Sequence, residues 1–316
     1  MGSQGTVWLL SSAGRRVELL KLLRETSGDQ EPSVVAVDYS ADVPTRISSD
    51  FFRQIPRIDN PRFLASVIKI CQEFSVDYVI PTIDTELSIY SGSRELLLEA
   101  GTDVLVSLPT VVDLARDKLA FANWLGKNGF PHIPTWPLDR DQLISEEGPF
   151  FIKPRFGSAS VGARRVDRLE EIIGHSFQDE MVTQPYLDGA EFTIDFAVAQ
   201  GGTLAGISVR ERLKVRAGEV VCAATRDRPD LEALVFDLVA RLPGLYGVLN
   251  LQLIETPTQA LILELNARVG GGFPLSAAAG CNLFETFLEG HSAGLRRPRF
   301  DIQMLRYDAS YFVPQT

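Results

Sequence analysis

A strand-like stretch near the C-terminal end of the chain places polar side chains at positions where a core strand is normally apolar. Glu264, Asn266 and Arg268 are spaced two residues apart. Because side chains alternate between the two faces of a strand, all three are expected on one face, together with Ile262. A buried polar group without a partner typically costs a few kcal/mol, so a face of this kind is expected to bind a ligand.

A second polar pair, Asn250 and Gln252, alternates in the same way in the preceding stretch. If a hairpin joins the two stretches with its turn centred near Thr258, Gln252 lies opposite Glu264 and Asn250 lies opposite Asn266. Oxygen donors without sulfur or imidazole favour a hard cation that bridges to phosphates, which indicates Mg²⁺ rather than zinc. The alternative is a solvated sheet face, because a bare Glu-x-Asn-x-Arg pattern is weakly specific.

A lysine followed by a glycine- and serine-rich loop forms a third candidate element. Lys153 lies in the apolar run Phe150–Pro154, and the loop after it contains Ser158 and extends to Gly162. The amides and hydroxyls of such a loop can surround phosphate oxygens. The loop is not a P-loop, because no Gly-Lys-Ser/Thr follows at the required spacing.

The order of these features resembles the ATP-grasp superfamily. The resemblance is strongest to one synthetase half of the carbamoyl phosphate synthase large subunit and to its stand-alone ligase relatives, and it covers nearly the whole chain. Five motifs in the family's order are far more specific than any one of them. They are Asp117-Lys118 at the start of a helix, Lys153 with its loop, the connector Gln184–Glu191, the pair Asn250 and Gln252, and Glu264-x-Asn266-x-Arg268.

The resemblance implies a metal site and a catalytic pair. Gln252, Glu264 and Asn266 would hold two Mg²⁺ ions that bridge the phosphates of ATP, with Mn²⁺ as a replacement. Arg268 would lie beside the γ-phosphate and the acyl phosphate formed from it, and Lys153 would assist.

The resemblance also implies how ATP is held. Lysines would pair with the phosphates, the backbone from Gln184 to Leu187 would read the adenine edge, and Glu191 would take the ribose hydroxyls. The ordinary alternatives are a surface residue for Lys118, a strand-end residue for Gln184 and a solvated residue for Glu191. The implied ATP-binding residues are Lys118, Lys153, Ser158, Gln184, Pro185, Tyr186, Leu187 and Glu191.

Two loops beyond the carboxyl ends of predicted strands are candidate substrate sites, since ligands of open α/β sheets gather there. In one loop, Asp84 and Glu86 would receive an amine. In the other, Arg15 or Arg16 would receive an anion. The alternative for Asp84 is a helix N-cap.

An alternating run of basic residues, Ser208–Arg216, is a further candidate. In the resembling family this segment lines the acceptor side, so Arg210 or Arg212 would hold a substrate carboxylate. Unless a bulge intervenes, both share a face with Lys214 and Arg216. The alternative is a solvated, charged edge strand.

The N-terminal third alternates short β-rich runs with helical patterns, which predicts a doubly wound parallel sheet. The fold class is therefore α/β, with an N-terminal pre-ATP-grasp domain over residues 1–108 and two α+β lobes, 109–185 and 186–316, that enclose ATP. Strands are predicted at Val7–Leu10, Ser33–Val37, Val76–Ile80 and Asp103–Val106, and helices at Arg16–Glu25, Arg62–Phe74 and Glu86–Glu99.

Composition limits the partners. A net charge of −10 without a block of Lys or Arg argues against nucleic acid. No run reaches the length of a membrane span. The three cysteines (Cys71, Cys222 and Cys281) are scattered and indicate a reducing cytoplasm. Small-molecule partners are expected. The sequence does not give the oligomeric state, and a homodimer through the N-terminal domain would be in keeping with the resembling family.

These features together predict an ATP- and Mg²⁺-dependent carboxylate–amine ligase. It would join a small carboxylate or amino acid to an amine through an acyl phosphate. The alternatives are a phosphotransferase of the same fold, a carboxylase, and a non-catalytic nucleotide sensor. A single synthetase half argues against carbamoyl phosphate synthesis.

Overall fold

The computed structural model describes residues 5–26, 30–138, 148–157, 161–168, 171, 180–216, 218–288 and 294–314. Within them the chain begins with a sheet of five parallel strands in the order β3-β2-β1-β4-β5. The doubly wound parallel sheet predicted for the N-terminal third is thus confirmed. Its strands are β1 (Val7–Leu10), β2 (Ser33–Asp38), β3 (Phe51–Gln54), β4 (Tyr78–Ile80) and β5 (Asp103–Val104).

Helices connect the parallel strands and continue after them. The predicted helix at Glu86–Glu99 is in fact two helices separated at Ser93. Among the described residues, the α-helices are α1 (Val17–Arg24), α2 (Thr45–Ser48), α3 (Phe63–Phe74), α4 (Asp84–Gly92), α5 (Arg94–Glu99), α6 (Pro109–Arg116), α7 (Lys118–Lys127), α8 (Pro229–Arg241) and α9 (Phe273–Ala278). Short 3₁₀ helices span Gln200–Gly202 and Leu283–Phe287.

Two further sheets follow. A four-stranded sheet has the order β6-β9-β7-β8, and a six-stranded sheet has the order β14-β13-β10-β11-β12-β15. The former contains β6 (Trp136–Pro137), β7 (Phe150–Pro154), β8 (Arg164–Val166) and β9 (Met181–Pro185). The latter contains β10 (Ala190–Val198), β11 (Leu204–Arg216), β12 (Glu219–Thr225), β13 (Gly247–Glu255), β14 (Ala260–Asn266) and β15 (Gln303–Leu305). The residue limits of the three domains stay a prediction.

One apolar core joins the N-terminal sheet to the six-stranded sheet. It includes Leu9 and Val79 from the former and Phe196 and Leu249 from the latter, all with no exposed surface. Their burial fixes the two sheets against each other, since interiors pack as densely as crystals. The four-stranded sheet has a small core of its own, in which Ile152 is fully buried.

The hairpin of β13 and β14 carries the polar ladder. Gln252 lies opposite Glu264 and Asn250 opposite Asn266, so the predicted register at these positions is confirmed. Two details differ. The strands close at Glu255 and Ala260, so the turn is centred before Thr258, and the register shifts between Gln252 and Leu253.

The register shift is a bulge near Leu263, which has no partner in the ladder. It turns Ile262 into the core at 1% exposure, while Leu263 lines the same cavity as Glu264. The prediction that Ile262 shares the polar face was therefore wrong. In the part of the chain that the model describes, no helix is both long and apolar enough to cross a membrane.

Candidate active site

A cavity of about 460 Å³ opens where the N-terminal sheet, the four-stranded sheet and the six-stranded sheet meet. Residues from all three parts contribute to its wall, although they are far apart in sequence. The predicted site residues that line it are Arg16, Asp84, Lys118, Lys153, Glu191, Arg212, Gln252, Glu264, Asn266 and Arg268.

The predicted metal ligands form a compact cluster on the hairpin. The amide nitrogen of Asn266 donates to Oδ1 of Asn250 at 3.2 Å and to Oε1 of Glu264 at 3.3 Å. Because these bonds use the nitrogen, the carbonyl oxygen of Asn266 is the group left for a cation. The donor set of Gln252, Glu264 and Asn266 is all oxygen, which fits Mg²⁺.

Glu264 is the single carboxylate in this donor set. Among the described residues, no group of three His, Cys, Asp or Glu side chains could hold a metal. Mg²⁺ commonly keeps several waters and binds through one or two carboxylates plus substrate phosphates. The cluster therefore fits an ion that arrives with nucleotide phosphates better than an ion held by the protein alone.

Two lysines face this cluster. Lys153, on β7, is only 5% exposed, and burial lowers its pKa to about 8, although Glu264 opposes the shift. Burial also lowers the pKa of Lys118, whose Nζ donates to the backbone oxygen of Gly157 at 2.7 Å. Two partly desolvated lysines surround the single carboxylate of Glu264, so positive charge is in excess at this point. The excess favours binding of an anion such as a phosphate.

Lys118 is positioned by the residues around it. Asp117 caps α7 by accepting bonds from the backbone of Leu119 and Ala120 at 3.1 Å each. Arg155 then binds both carboxylate oxygens of Asp117, at 2.8 and 2.6 Å. This ion pair ties the start of α7 to the chain that follows Lys153, so it holds both lysines at one end of the cavity.

Arg268 is held from two sides. Its backbone oxygen accepts a bond from Asn250 at 3.0 Å, and its Nη2 donates to Oδ2 of Asp84 at 2.7 Å. The two side chains of the ion pair are 14% and 18% exposed. Asp84 is the first residue of α4, so the pair joins the N-terminal sheet to the hairpin. Nε of Arg268 is buried without a hydrogen-bond partner among the described residues, while the residue itself lines the cavity.

The prediction for Glu86 is corrected by the structure. Glu86 is fully buried and accepts bonds from the hydroxyls of Ser11 and Ser12 at 2.7 Å each, and from the backbone of Thr82 and Ile83. A carboxylate with these partners and no exposed surface cannot receive an amine substrate. It instead fastens the two loops at the carboxyl edge of the N-terminal sheet.

The prediction for Arg210 is corrected as well. Its Nε and Nη2 bind the two oxygens of Asp195 at 2.6 and 2.9 Å, and Ser276 donates to the same carboxylate at 2.7 Å. Arg210 is 1% exposed, and its guanidinium packs against Gly272, where a side chain would collide with it. Its carboxylate partner is thus part of the protein. The register of β11 shifts on both sides of Lys214, so the basic residues do not share one face.

At the residue predicted to bind ribose, Nε of Arg212 lies 2.9 Å from Oε2 of Glu191, and both residues line the cavity. This ion pair keeps Glu191 in place, while 47% of its side chain remains exposed. Arg212 as a substrate ligand and Glu191 as a ribose ligand remain predictions.

The segment predicted to read adenine, Gln184–Leu187, is held by contacts with neighbouring elements. The side chain of Gln184 donates to Thr135 at 2.8 Å, and the backbone of Tyr186 donates to Pro149 at 2.9 Å. Arg165 stacks on the ring of Tyr186 at 4.4 Å. Of the described residues that line the cavity, none comes from Gln184–Leu187, so the adenine contacts of Gln184, Pro185, Tyr186 and Leu187 stay predicted. Ser158 lies outside the described residues.

Sequence reasoning missed several contributors to the cavity wall, among them Glu219, Leu263 and Arg306. Arg306, from the chain after β15, donates to the backbone of Gly271 and lies 3.7 Å from Glu219. Leu263 enters through the bulge. No local motif marks Glu219 or Arg306, because they meet only when β12 pairs with β15.

Lys153 makes a testable contribution to stability. Its pKa is about 8 in the folded protein and 10.5 as a free side chain, so the unfolded state binds more protons between these values. Stability should then rise with pH in this window. Without nucleotide at pH 7, we expect Lys153→Met to unfold at a higher temperature than the wild type. The variant should also lack the increase in stability with pH that the titration of Lys153 causes in the wild type. Calorimetric scans from pH 7 to 10 measure both; identical pH profiles would contradict the buried charge.

Two family models match the chain. The model of the PylC-like N-terminal domain matches residues 8–105, and a model of the ATP-grasp domain from a biosynthetic pathway with the Ter operon matches residues 177–307. The 3-methyl-D-ornithine–L-lysine ligase of Methanosarcina mazei is 23% identical over 267 residues, which are 83% of this chain and 66% of that protein. The arginine-specific carbamoyl phosphate synthase large chain of Halalkalibacterium halodurans is 21% identical and covers 75% of this chain and 24% of the relative.

A solved structure of the same fold is the ADP complex of N5-carboxyaminoimidazole synthetase from Staphylococcus aureus. It aligns with a TM-score of 0.73 and 17% identity over 94% of this chain and 80% of that one. The chain therefore has the ATP-grasp fold, and the resemblance predicted from its motifs is confirmed. Within that class its residues 8–105 match the model of the PylC-like N-terminal domain, and the chain is similar to a ligase and to carbamoyl phosphate synthase. It spans about two thirds of the length of the ligase and about a quarter of the synthase.

Proposed function

We propose that this protein is an ATP- and Mg²⁺-dependent carboxylate–amine ligase that works through an acyl phosphate. The observation that carries the proposal is the joint position of the hairpin ligands, the two lysines and Arg268 around one cavity. The similarity to a ligase that joins two amino acids supports an acid and an amine as the substrates.

The chemistry explains why these groups are needed. A carboxylate resists nucleophiles because of its charge and resonance, and a phosphoryl group from ATP makes it reactive. Lys118 and Lys153 neutralise phosphate oxygens, and Arg268 offers N–H groups to the oxygens whose charge grows during transfer. Bound Mg²⁺, held by Gln252, Glu264 and Asn266, would supply further charge neutralisation.

The second half of the reaction releases phosphate. An amine attacks the acyl carbon, the carbon–nitrogen bond forms, and the bond to the phosphate oxygen breaks. The proton that the amine loses must leave the site. Asp84 lines the cavity and is a candidate contact for the amine, although its carboxylate already binds Arg268.

The proposal also includes the number and identity of the metal ions, the assembly and the location of the protein. It comprises two metal ions, replacement of Mg²⁺ by Mn²⁺, a homodimer through the N-terminal domain and a cytoplasmic location. The ADP complex of the structural relative supports nucleotide binding in this fold. Metal titration of the ATP-bound protein and its molar mass from light scattering measure the first three.

The proposal is tested by ADP formation from Mg-ATP with a panel of amino acids and small carboxylates, each with and without amines. Hydroxylamine converts an acyl phosphate into a hydroxamate. We expect one class of acid to yield a hydroxamate, and Glu264→Ala to lose at least about 100-fold of this activity because a metal ligand is removed.

Glu18→Ala is the control, because Glu18 is an exposed glutamate on α1. It should retain wild-type activity. ADP release with no amine requirement and no hydroxamate would favour a phosphotransferase. A dependence on bicarbonate would favour a carboxylase, and ATP binding without any acid-dependent ADP would favour a nucleotide sensor.

A further inference from the structure

Arg16 is an arginine at the carboxyl edge of the N-terminal sheet, just before α1, and it lines the cavity. Its Nη2 donates to the backbone oxygen of Thr82 at 2.8 Å. Within the part of the chain that the structure describes, its guanidinium forms no ion pair with a carboxylate. Arg16 is half-buried, so its positive charge is partly desolvated. No carboxylate among the described residues pairs with it to offset this cost.

The electrostatic environment agrees with this geometry. Burial and, to a smaller extent, the nearby cation of Arg268 lower the pKa of Arg16 to about 10, against the opposing effect of Glu86, Glu219 and Asp84. A shift of this sign means that the site destabilises the charged form. A bound anion would stabilise the charged form of Arg16.

The surrounding carboxylates already have partners. Asp84 binds Arg268 at 2.7 Å, and Glu86 holds the hydroxyls of the neighbouring loop. Glu219 lies 3.7 Å from both Arg15 and Arg306. None of these carboxylates contacts Arg16, so its free N–H groups can reach a ligand in the cavity.

The loop that carries Arg16 is fixed before any ligand arrives. The hydroxyl of Thr82 donates to the backbone oxygens of Ser11 and Ser12 at 2.9 and 2.8 Å. The backbone of Gly14, where φ is +49°, donates to Asp38 at 2.9 Å. A guanidinium on so constrained a loop loses little conformational freedom when it binds an anion, and this favours affinity.

We propose that Arg16 binds a second anionic group of the acyl substrate. The substrate class is then a small acid with a carboxylate in addition to the one that is activated, rather than a monocarboxylic acid. The inference rests on the proposed function, because it is the transfer step that places the activated carboxylate beside Arg268. A guanidinium fork suits a carboxylate, since two parallel N–H···O bonds can form.

The test compares dicarboxylates with monocarboxylates of similar size, namely succinate with butyrate and glutarate with valerate. Calorimetric titration of each acid into the protein with Mg-ADP measures its affinity. We expect the dicarboxylates to bind better, and Arg16→Gln to weaken them by about tenfold or more while leaving the monocarboxylates unchanged.

Arg15 is the matched control, because it precedes Arg16 in the chain but is 84% exposed and does not line the cavity. Arg15→Gln should keep the wild-type preference. Arg16→Lys retains the positive charge but loses the two parallel N–H donors of the guanidinium. It should therefore keep a weaker preference for dicarboxylates over monocarboxylates. If Arg16→Gln fails to fold, the comparison of Arg16→Lys with the wild type still decides the question.

Two results would overturn the proposal: wild-type protein that binds each pair of acids equally, or Arg16 variants that keep the full wild-type preference. The failure of the ligase proposal looks different. If dicarboxylates bind through Arg16 and no acid stimulates ADP formation, the anion site stands and the ligase reaction does not.

Discussion

Arg268→Ala is expected to lower kcat by about 100- to 1,000-fold, while the affinity for Mg-ATP changes by less than about fivefold. The reason is geometric. Arg268 is anchored by Asp84 and by the bond from Asn250 to its backbone oxygen, so its remaining donors are fixed in the cavity. Groups arranged in this way stabilise charge that develops during phosphoryl transfer more than they stabilise the bound nucleotide.

The measurement combines kcat from acid-dependent ADP release with the dissociation constant of Mg-ATP from calorimetric titration. Arg268→Lys should retain part of the rate, because it keeps the charge but loses the fork. Arg241→Ala is the control, since Arg241 is about half-exposed and does not line the cavity. Equal losses in kcat and in ATP affinity would contradict the role given to Arg268.

Asp195→Asn is expected to lower the free energy of unfolding by about 3–5 kcal/mol. Asp195 has no exposed surface and is the only carboxylate in contact with Arg210 among the described residues. Without it, the guanidinium stays buried with no counter-charge. Urea-induced unfolding, followed by circular dichroism, measures the change.

A matched control is the exposed ion pair of Arg53 and Glu73, which has the same length of 2.6 Å but side chains that are 42% and 43% exposed. Glu73→Gln should cost less than about 1 kcal/mol. The double variant Asp195→Leu with Arg210→Met should recover most of the lost stability, because it removes both buried charges. A small loss in Asp195→Asn would contradict the importance of this pair.

The sequence supported the prediction of the parts of the site that lie on regular elements. The alternation of Glu264, Asn266 and Arg268 placed the ladder on one face. The pairing of Gln252 with Glu264 followed from a turn assumed near Thr258; the turn is centred earlier, and the register shift after Gln252 makes up the difference. The parallel sheet followed from alternating strand and helix patterns. These features depend on local periodicity, which is readable in one chain.

Other features depend on contacts between distant segments. Arg210 appeared to be a substrate ligand because Asp195, its partner, lies on the neighbouring strand 15 residues away. A signal was present, since Asp195 interrupts the apolar strand β10 and a buried acid needs a counter-charge. Glu86 was misassigned because its partners Ser11 and Ser12 come from the other loop. The bulge at Leu263 was missed because no residue pattern in the sequence indicates it.

The most direct test of the ligase chemistry follows the oxygen atoms. An acid that supports ADP formation is prepared with ¹⁸O in its carboxylate and supplied with Mg-ATP and an amine. If an acyl phosphate forms, one labelled oxygen leaves with the phosphate, and mass spectrometry should detect ¹⁸O in the inorganic phosphate in step with amide formation. Amide formation that leaves the phosphate unlabelled would contradict the acyl-phosphate mechanism.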